Sequence, residues 1–231
     1  MKIPGIIGGV GPESTIEYYR QAVAAYREKT GDGSYPALVV NSIDMQKMLR
    51  LIAANELAEV TSYLLAEVQR LARAGADFGV FASNTPHIVF PALQAQSPIP
   101  LLSIVEVTCR AASRAGLKRL GLFGAKFTMA GRFYQDVFER AGITIVVPSP
   151  TEQAYISEKY MGELILGILR PETRAALLAI AERMRTEDKI AGLILGGTEL
   201  PLILRDVTDD GMPFLDTTQL HVAAIVERMT S

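Results

Sequence analysis

The sequence predicts an α/β protein made of two similar lobes, each a parallel sheet flanked by helices. Three observations carry that expectation. Short apolar runs alternate with longer amphipathic stretches along the whole chain, the pattern of βα units around parallel strands. Segments also recur at a nearly constant interval. Ile6-Ile7-Gly8 is echoed by Leu122-Phe123-Gly124 at an offset of 116, and Glu17-Tyr18-Tyr19-Arg20 by Arg132-Phe133-Tyr134-Gln135 at 115. Phe81-Ala82-Ser83-Asn84-Thr85 meets Leu195-Gly196-Gly197-Thr198-Glu199 at 114, so three ordered matches fall near half of the 231-residue length and argue for duplication. Finally, glycine and proline fall where the pattern needs its stops and starts.

Taken in order, strands are expected at Pro4–Gly8, Ala37–Asn41, Phe78–Ala82, Pro100–Ser103, Arg119–Phe123, Thr144–Val147, Gly192–Leu195 and Met212–Leu215. Each is a short apolar run of the kind a parallel sheet buries on both faces. Helices fill the intervals at Glu13–Glu28, Asn55–Ala74, Val105–Ala115, Ala130–Ala141, Glu152–Gly167, Glu172–Arg185 and Leu220–Met229. Gly75, Gly116 and Gly142 each close a helix, where a left-handed residue costs glycine least. Pro171 before Glu172 suits a first helical turn, because the missing N–H is not needed there. The last strand and helix are expected to cross back, giving one lobe from 1–104 with 211–231 and a second from 105–210.

Composition narrows the function classes. With 49% hydrophobic and 21% charged residues, a real core is expected and disorder is not. A net charge of -2 and the lack of a basic stretch argue against nucleic acid as a partner. Met1-Lys2-Ile3-Pro4-Gly5 reaches glycine too soon for a secretory segment, and no apolar run is long enough to cross a bilayer. No membrane partner is expected, and the expected location is cytoplasmic. The one cysteine, Cys109, excludes an internal disulfide, and two histidines argue against a His-based metal site.

Ligands of open parallel sheets bind beyond the carboxyl ends of the strands, which makes the loops there the candidate site. The first, Gly8-Gly9-Val10-Gly11-Pro12-Glu13-Ser14-Thr15, follows a strand and opens a helix, so amides near Gly9 and Gly11 and the Ser14 hydroxyl can hold a carboxylate or phosphate. The competing reading is a tight turn that simply needs glycine. The spacing is neither a dinucleotide fingerprint nor a Walker loop. In Ser83-Asn84-Thr85-Pro86-His87, Asn84 and Thr85 can pair with a ligand carboxylate or cap the following turn. Gly196-Gly197-Thr198-Glu199 combines close backbone approach with a hydroxyl. Two roles stand open for Glu199: general base if burial raises its pKa, or a first-turn carboxylate complementing the helix dipole. In Gly124-Ala125-Lys126-Phe127-Thr128, Thr128 is a candidate contact and Lys126 reads as a solvated charge. His87 reads as a structural or cleft-edge group, His221 as a surface or packing residue, and Cys109 as a small buried hydrophobe rather than a nucleophile.

Together with Phe214-Leu215-Asp216-Thr217, these loops resemble, in order and from end to end, the aspartate/glutamate racemase family. The resemblance implies two pseudo-symmetric Rossmann-like lobes, a site in the cleft between them and no cofactor, pyridoxal phosphate included. It also implies a small carboxylate or amino acid as ligand, with a homodimer as the candidate assembly. In the family the matched motifs read Cys-Asn-Thr and Gly-Cys-Thr-Glu, and the two thiols exchange an α-proton across the two faces of the substrate. The resemblance places Ser83 and Gly197 at those two catalytic positions, with Glu199 beside the second. A serine is a weak base and a glycine has no proton to give. Two-thiol racemisation is therefore expected to be lost or altered, while carboxylate binding through Asn84, Thr85 and Thr198 is expected to survive. A non-catalytic binder of an amino acid or dicarboxylate, or a serine-assisted isomerase or lyase, are the alternatives.

Overall fold

The computed structural model describes residues 1–204 and 211–231. The chain groups into two compact units, Met1–Ile104 with His221–Ser231, and Val105–Leu220.

The first unit carries strands β1 (Pro4–Gly8), β2 (Val39–Ser42) and β3 (Phe78–Phe81), in the order β2-β1-β3 and parallel throughout. Between them run α1 (Pro12–Thr30), α2 (Met45–Ala53) and α3 (Leu57–Arg73). Pro12 opens α1, Glu13 sits near its positive end, and Arg27 and Lys29 sit near its negative end. After β3 come a single 3-10 turn over Thr85–Val89 and the short α4 (Phe90–Gln96). The core packs Ile6, Tyr18, Tyr26, Phe78 and Val80 against Val222, Ile225 and Met229 of the last helix. Each such side chain contributes about 1.5–3 kcal/mol by leaving water.

The second unit repeats this plan. After α5 (Ile104–Arg114), strands β4 (Arg119–Gly124), β5 (Thr144–Val146), β6 (Leu193–Gly196) and β7 (Phe214–Asp216) form a parallel sheet in the order β5-β4-β6-β7. In both sheets the first strand lies between the second and third, and the segments matched in sequence end β1 and β4, and β3 and β6. The helices are α6 (Lys126–Ala130), α7 (Phe133–Arg140), α8 (Pro150–Gly162), α9 (Pro171–Thr186) and α10 (Leu200–Leu204), while the final α11 (Thr217–Thr230) belongs from His221 onward to the first unit. Ser149 and Glu152 form a reciprocal capping box at the start of α8. Phe123, Tyr160, Leu177, Met184, Leu193 and Leu195 belong to one buried cluster.

Several expectations need correction. Pro100–Ser103 is not a strand; only Leu101 bridges Gly79, because α5 begins at Ile104 and leaves no length for a ladder. The expected lobe boundary at 210/211 meets residues 205–210, outside the described residues. Beyond it, β7 hydrogen-bonds to β6, so Phe214–Asp216 belongs with the second sheet, and only His221–Ser231 groups with the first unit. The helix expected over Glu152–Gly167 ends at Gly162, followed by a 3-10 turn at Leu164–Leu166. That expected over Ala130–Ala141 begins only at Phe133, as α7; Ala130 is the last residue of the separate α6. The stops expected at Gly75, Gly116 and Gly142 all have positive φ. Among the described residues no helix is long and apolar enough to cross a membrane.

Candidate functional site

In the first unit the loops after β1 and β3 are tied together. Ser14 is 1% exposed, and its hydroxyl donates to the Ala82 carbonyl at 2.6 Å. This anchors the first turn of α1 on the end of β3, beside Ser83. Gly9 has φ 80, and a Cβ there would lie 2.5 Å from the Ile43 carbonyl oxygen, so the turn itself requires glycine. Its N–H donates to Thr15 Oγ1 at 2.9 Å. The tight-turn reading thus accounts for Gly9, whose amide already has a partner within the loop. Gly11 stands at the N-cap of α1 with φ 90.

Ser83, Asn84 and Thr85 are all buried. The Asn84 carbonyl accepts from the His87 backbone N–H at 3.0 Å and faces His87 Nδ1 at 3.1 Å. A carbonyl can only accept, so this contact assigns the ring proton to Nδ1 and leaves a lone pair on Nε2. His87 is stacked on Phe90 at 4.7 Å and edge-on to Phe81 at 6.1 Å. Burial lowers its pKa from 6.5 to about 4, which keeps the ring neutral. Its Nε2 has no partner among the described residues. Of the two readings of His87, structural or cleft-edge, burial fits the first: it is a neutral imidazole packed behind the Ser83–Thr85 loop.

In the second unit β4 and β6 are in register at Gly124 and Gly196, which brings their following loops side by side. Thr128 is fully buried, and its Oγ1 has no partner among the described residues. Lys126 is exposed, as a solvated charge would be. Thr198 and Glu199 are 3% and 1% exposed. The Thr198 hydroxyl donates to Glu199 Oε2 at 2.9 Å, and the Tyr160 hydroxyl donates to the same oxygen. Glu199 therefore has a role beyond the helix dipole: its carboxylate is the centre of a buried hydroxyl cluster. Burial, and then the charge and hydrogen bond of Glu199, push the Tyr160 phenol well above its ordinary value.

Tyr160 was not among the residues the loop motifs pointed to, since it lies within α8. Its signal in the sequence is indirect, in the missing side chain at Gly197. A Cβ at residue 197 would lie 2.9 Å from Cζ and 3.1 Å from Oη of Tyr160, and closer still to Cε2. The tyrosine ring fills the volume that a side chain at 197 would take.

Other candidates fall elsewhere. His221 is fully buried, with Nδ1 2.9 Å from Tyr18 Oη and Nε2 3.1 Å from the Leu102 carbonyl, so it is a packing residue and not a surface one. Cys109 lies in α5 with its sulfur 3.9 Å from the Val137 carbonyl, and burial pushes its thiol up, away from the reactive thiolate. Among the described residues no group of His, Cys, Asp and Glu has the makings of a metal centre.

Parallel sheets in two units of matching strand order, with polar, buried loops at the carboxyl ends of the matched strands, define an α/β fold of two similar halves. The chain belongs to the Asp/Glu/hydantoin racemase family, whose model matches residues 7–225. It is 24% identical over 220 residues to the broad specificity amino-acid racemase RacX of Bacillus subtilis, covering 93% of this chain and 92% of that protein. Among solved structures it resembles an aspartate racemase homologue from Pyrococcus horikoshii, with 32% identity, a TM-score of 0.86 and full coverage of both chains. A Yersinia pestis protein assigned as an Asp/Glu racemase superposes with a TM-score of 0.90 at 29% identity, again over the whole of both chains.

Proposed function

We propose that this family member binds a small carboxylate, an α-amino acid above all, without a cofactor, and that the two-thiol proton transfer of the family is lost or altered in it. Asn84, Thr85, Thr128 and Thr198 are its polar contacts, and Ser83 and Gly197 stand where the thiols would be.

The observation that carries this reading is a pair of orphan buried polar atoms at the strand-end loops, His87 Nε2 and Thr128 Oγ1. An unmet buried polar group costs about 1–3 kcal/mol, so each is a place where a ligand atom brings a gain. Nε2 offers a lone pair and the threonine offers a proton. An ammonium complements the first by donating, and a carboxylate complements the second by accepting. The change in chemistry follows from the thiol inventory. The chain has one cysteine, and its sulfur is held in α5 against a backbone carbonyl.

Calorimetry with the D and L forms of aspartate and glutamate tests the binding. Thr85→Ala and Thr198→Ala are each expected to weaken it by about 1.5–3 kcal/mol, the worth of a hydrogen bond to a charged group. Unchanged affinity in both variants would place the ligand elsewhere. Chiral chromatography of the same incubations is expected to show little or no inversion of either amino acid. Turnover matching that of two-thiol racemases would contradict the proposed loss.

A further inference from the structure

The cluster at the end of β6 has the composition of a proton-transfer pair. A phenol and a carboxylate are hydrogen-bonded to each other, and both are almost wholly withdrawn from water. The phenol lies against Gly197, in the volume where any side chain of residue 197 would have to go. Thr198, the next residue, donates to the same carboxylate oxygen at 2.9 Å and fixes its orientation. A purely structural tyrosine needs only one acceptor for its hydroxyl, and a backbone carbonyl serves for that without burying a charge. Building this contact from a buried carboxylate retains an ionisable partner behind the phenol.

We propose that Tyr160 is the proton-carrying residue at the end of β6, acting with Glu199 as the base behind it and Thr198 as the residue that positions Glu199. The proposal rests on the reading that an amino acid binds at these loops.

In the forward step the Cα–H bond of the substrate breaks and its proton passes to Tyr160 Oη. The proton already on Tyr160 moves to Glu199 Oε2, and the electron pair remains on the α-carbon, delocalised into the substrate carboxylate. Glu199 gains one proton and the substrate loses one. Reversal returns a proton to the same face through the same two oxygens. No free phenolate forms, which matters because burial and the adjoining carboxylate make one costly. When the proton held by Glu199 is traded with water between turnovers, reversal delivers a solvent-derived proton to the same face, so the α-proton exchanges and configuration is preserved. Inversion would need a second proton carrier on the opposite face.

The experiment is α-proton exchange in deuterated water, followed by NMR, with the common amino acids in both configurations as probes and calorimetry on the same samples. The full chain is compared with Tyr160→Phe, which keeps the ring beside Gly197 and removes only the hydroxyl, and with Glu199→Gln. Circular dichroism checks that each variant is folded. The expected result is exchange with retention by the unmodified protein, reduced at least about 100-fold in each variant, the usual scale for losing a general acid–base group. Binding by Tyr160→Phe should stay within about threefold, because the ring is unchanged. Exchange by Tyr160→Phe at the unmodified rate would overturn the assignment, and so would an unmodified protein that binds an amino acid but exchanges none. In both cases the binding reading would stand. If no amino acid binds at all, the proposed function falls and this inference falls with it.

Discussion

The loop after β3 and the loop after β6 occupy matching places in two sheets of the same strand order, yet they hold different chemistry. Ser83–Thr85 is backed by His87, a neutral imidazole stacked on Phe90, edge-on to Phe81 and tethered to a backbone carbonyl. Gly197–Glu199 is backed by a buried carboxylate that collects two hydroxyls, with a tyrosine ring lying against the glycine. The contrast separates two things that a duplicated fold inherits. Strand order and helix placement follow from the apolar pattern, which both halves keep. The side chains at the strand ends are not shared in this way. Behind the first loop lies an imidazole lone pair, and behind the second a phenol and a threonine hydroxyl meet on one buried carboxylate.

The largest effect expected from this comparison is at Gly197. Replacing it with cysteine adds a side chain where the Tyr160 ring already sits, and Gly197→Cys should destabilise the protein by about 3 kcal/mol, the upper part of the range for overpacking. Chemical denaturation of Gly197→Cys, Tyr160→Ala and the double variant measures this. The double variant should be more stable than the sum of the single changes implies, because the smaller residue makes room for the thiol. Simple additivity would show that the ring yields freely and that glycine is not required.

The second effect sharpens the other side of the comparison. The folded-state pKa of His87 is about 4, below its ordinary 6.5, so between those values the unfolded chain takes up more protons than the folded one. The contribution of the neutral ring to stability is present above pH 6.5 and is lost as pH falls towards 4. Between pH 8 and pH 5 the loss is about 2 kcal/mol. Urea denaturation across that range should show it, and His87→Phe should remove that part of the slope. An equal slope in the variant would mean that the imidazole is hydrated and the loop is not the dry, neutral site described.

Much of the fold was legible because its signals are local. The expected β1 matches to the residue, since Pro4–Gly8 is an apolar run bounded by glycine, and the repeat pairs the ends of β1 with β4 and of β3 with β6. Pro100–Ser103 looked like a strand by the same rule, but two hydrogen bonds to Gly79 use up the segment before α5 begins. Met45–Ala53 is a helix absent from the expectations, although Asp44 caps it by accepting from the Gln46 N–H and Met48 and Ile52 mark its buried face. At the site, the loops themselves were visible as polar groups after apolar strands. Tyr160 was not, because it is 37 residues from Gly197 in the chain and its spacing on α8 is that of an ordinary core residue. Only three-dimensional packing shows that the missing side chain at 197 and the tyrosine ring share one volume.

A crystal structure of the protein grown with an acidic amino acid tests the central claim most directly. The account predicts a carboxylate oxygen of the ligand within hydrogen-bond distance, about 3 Å, of Asn84 or Thr85 at the end of β3. A ligand seated away from the ends of β3 and β6 would contradict it.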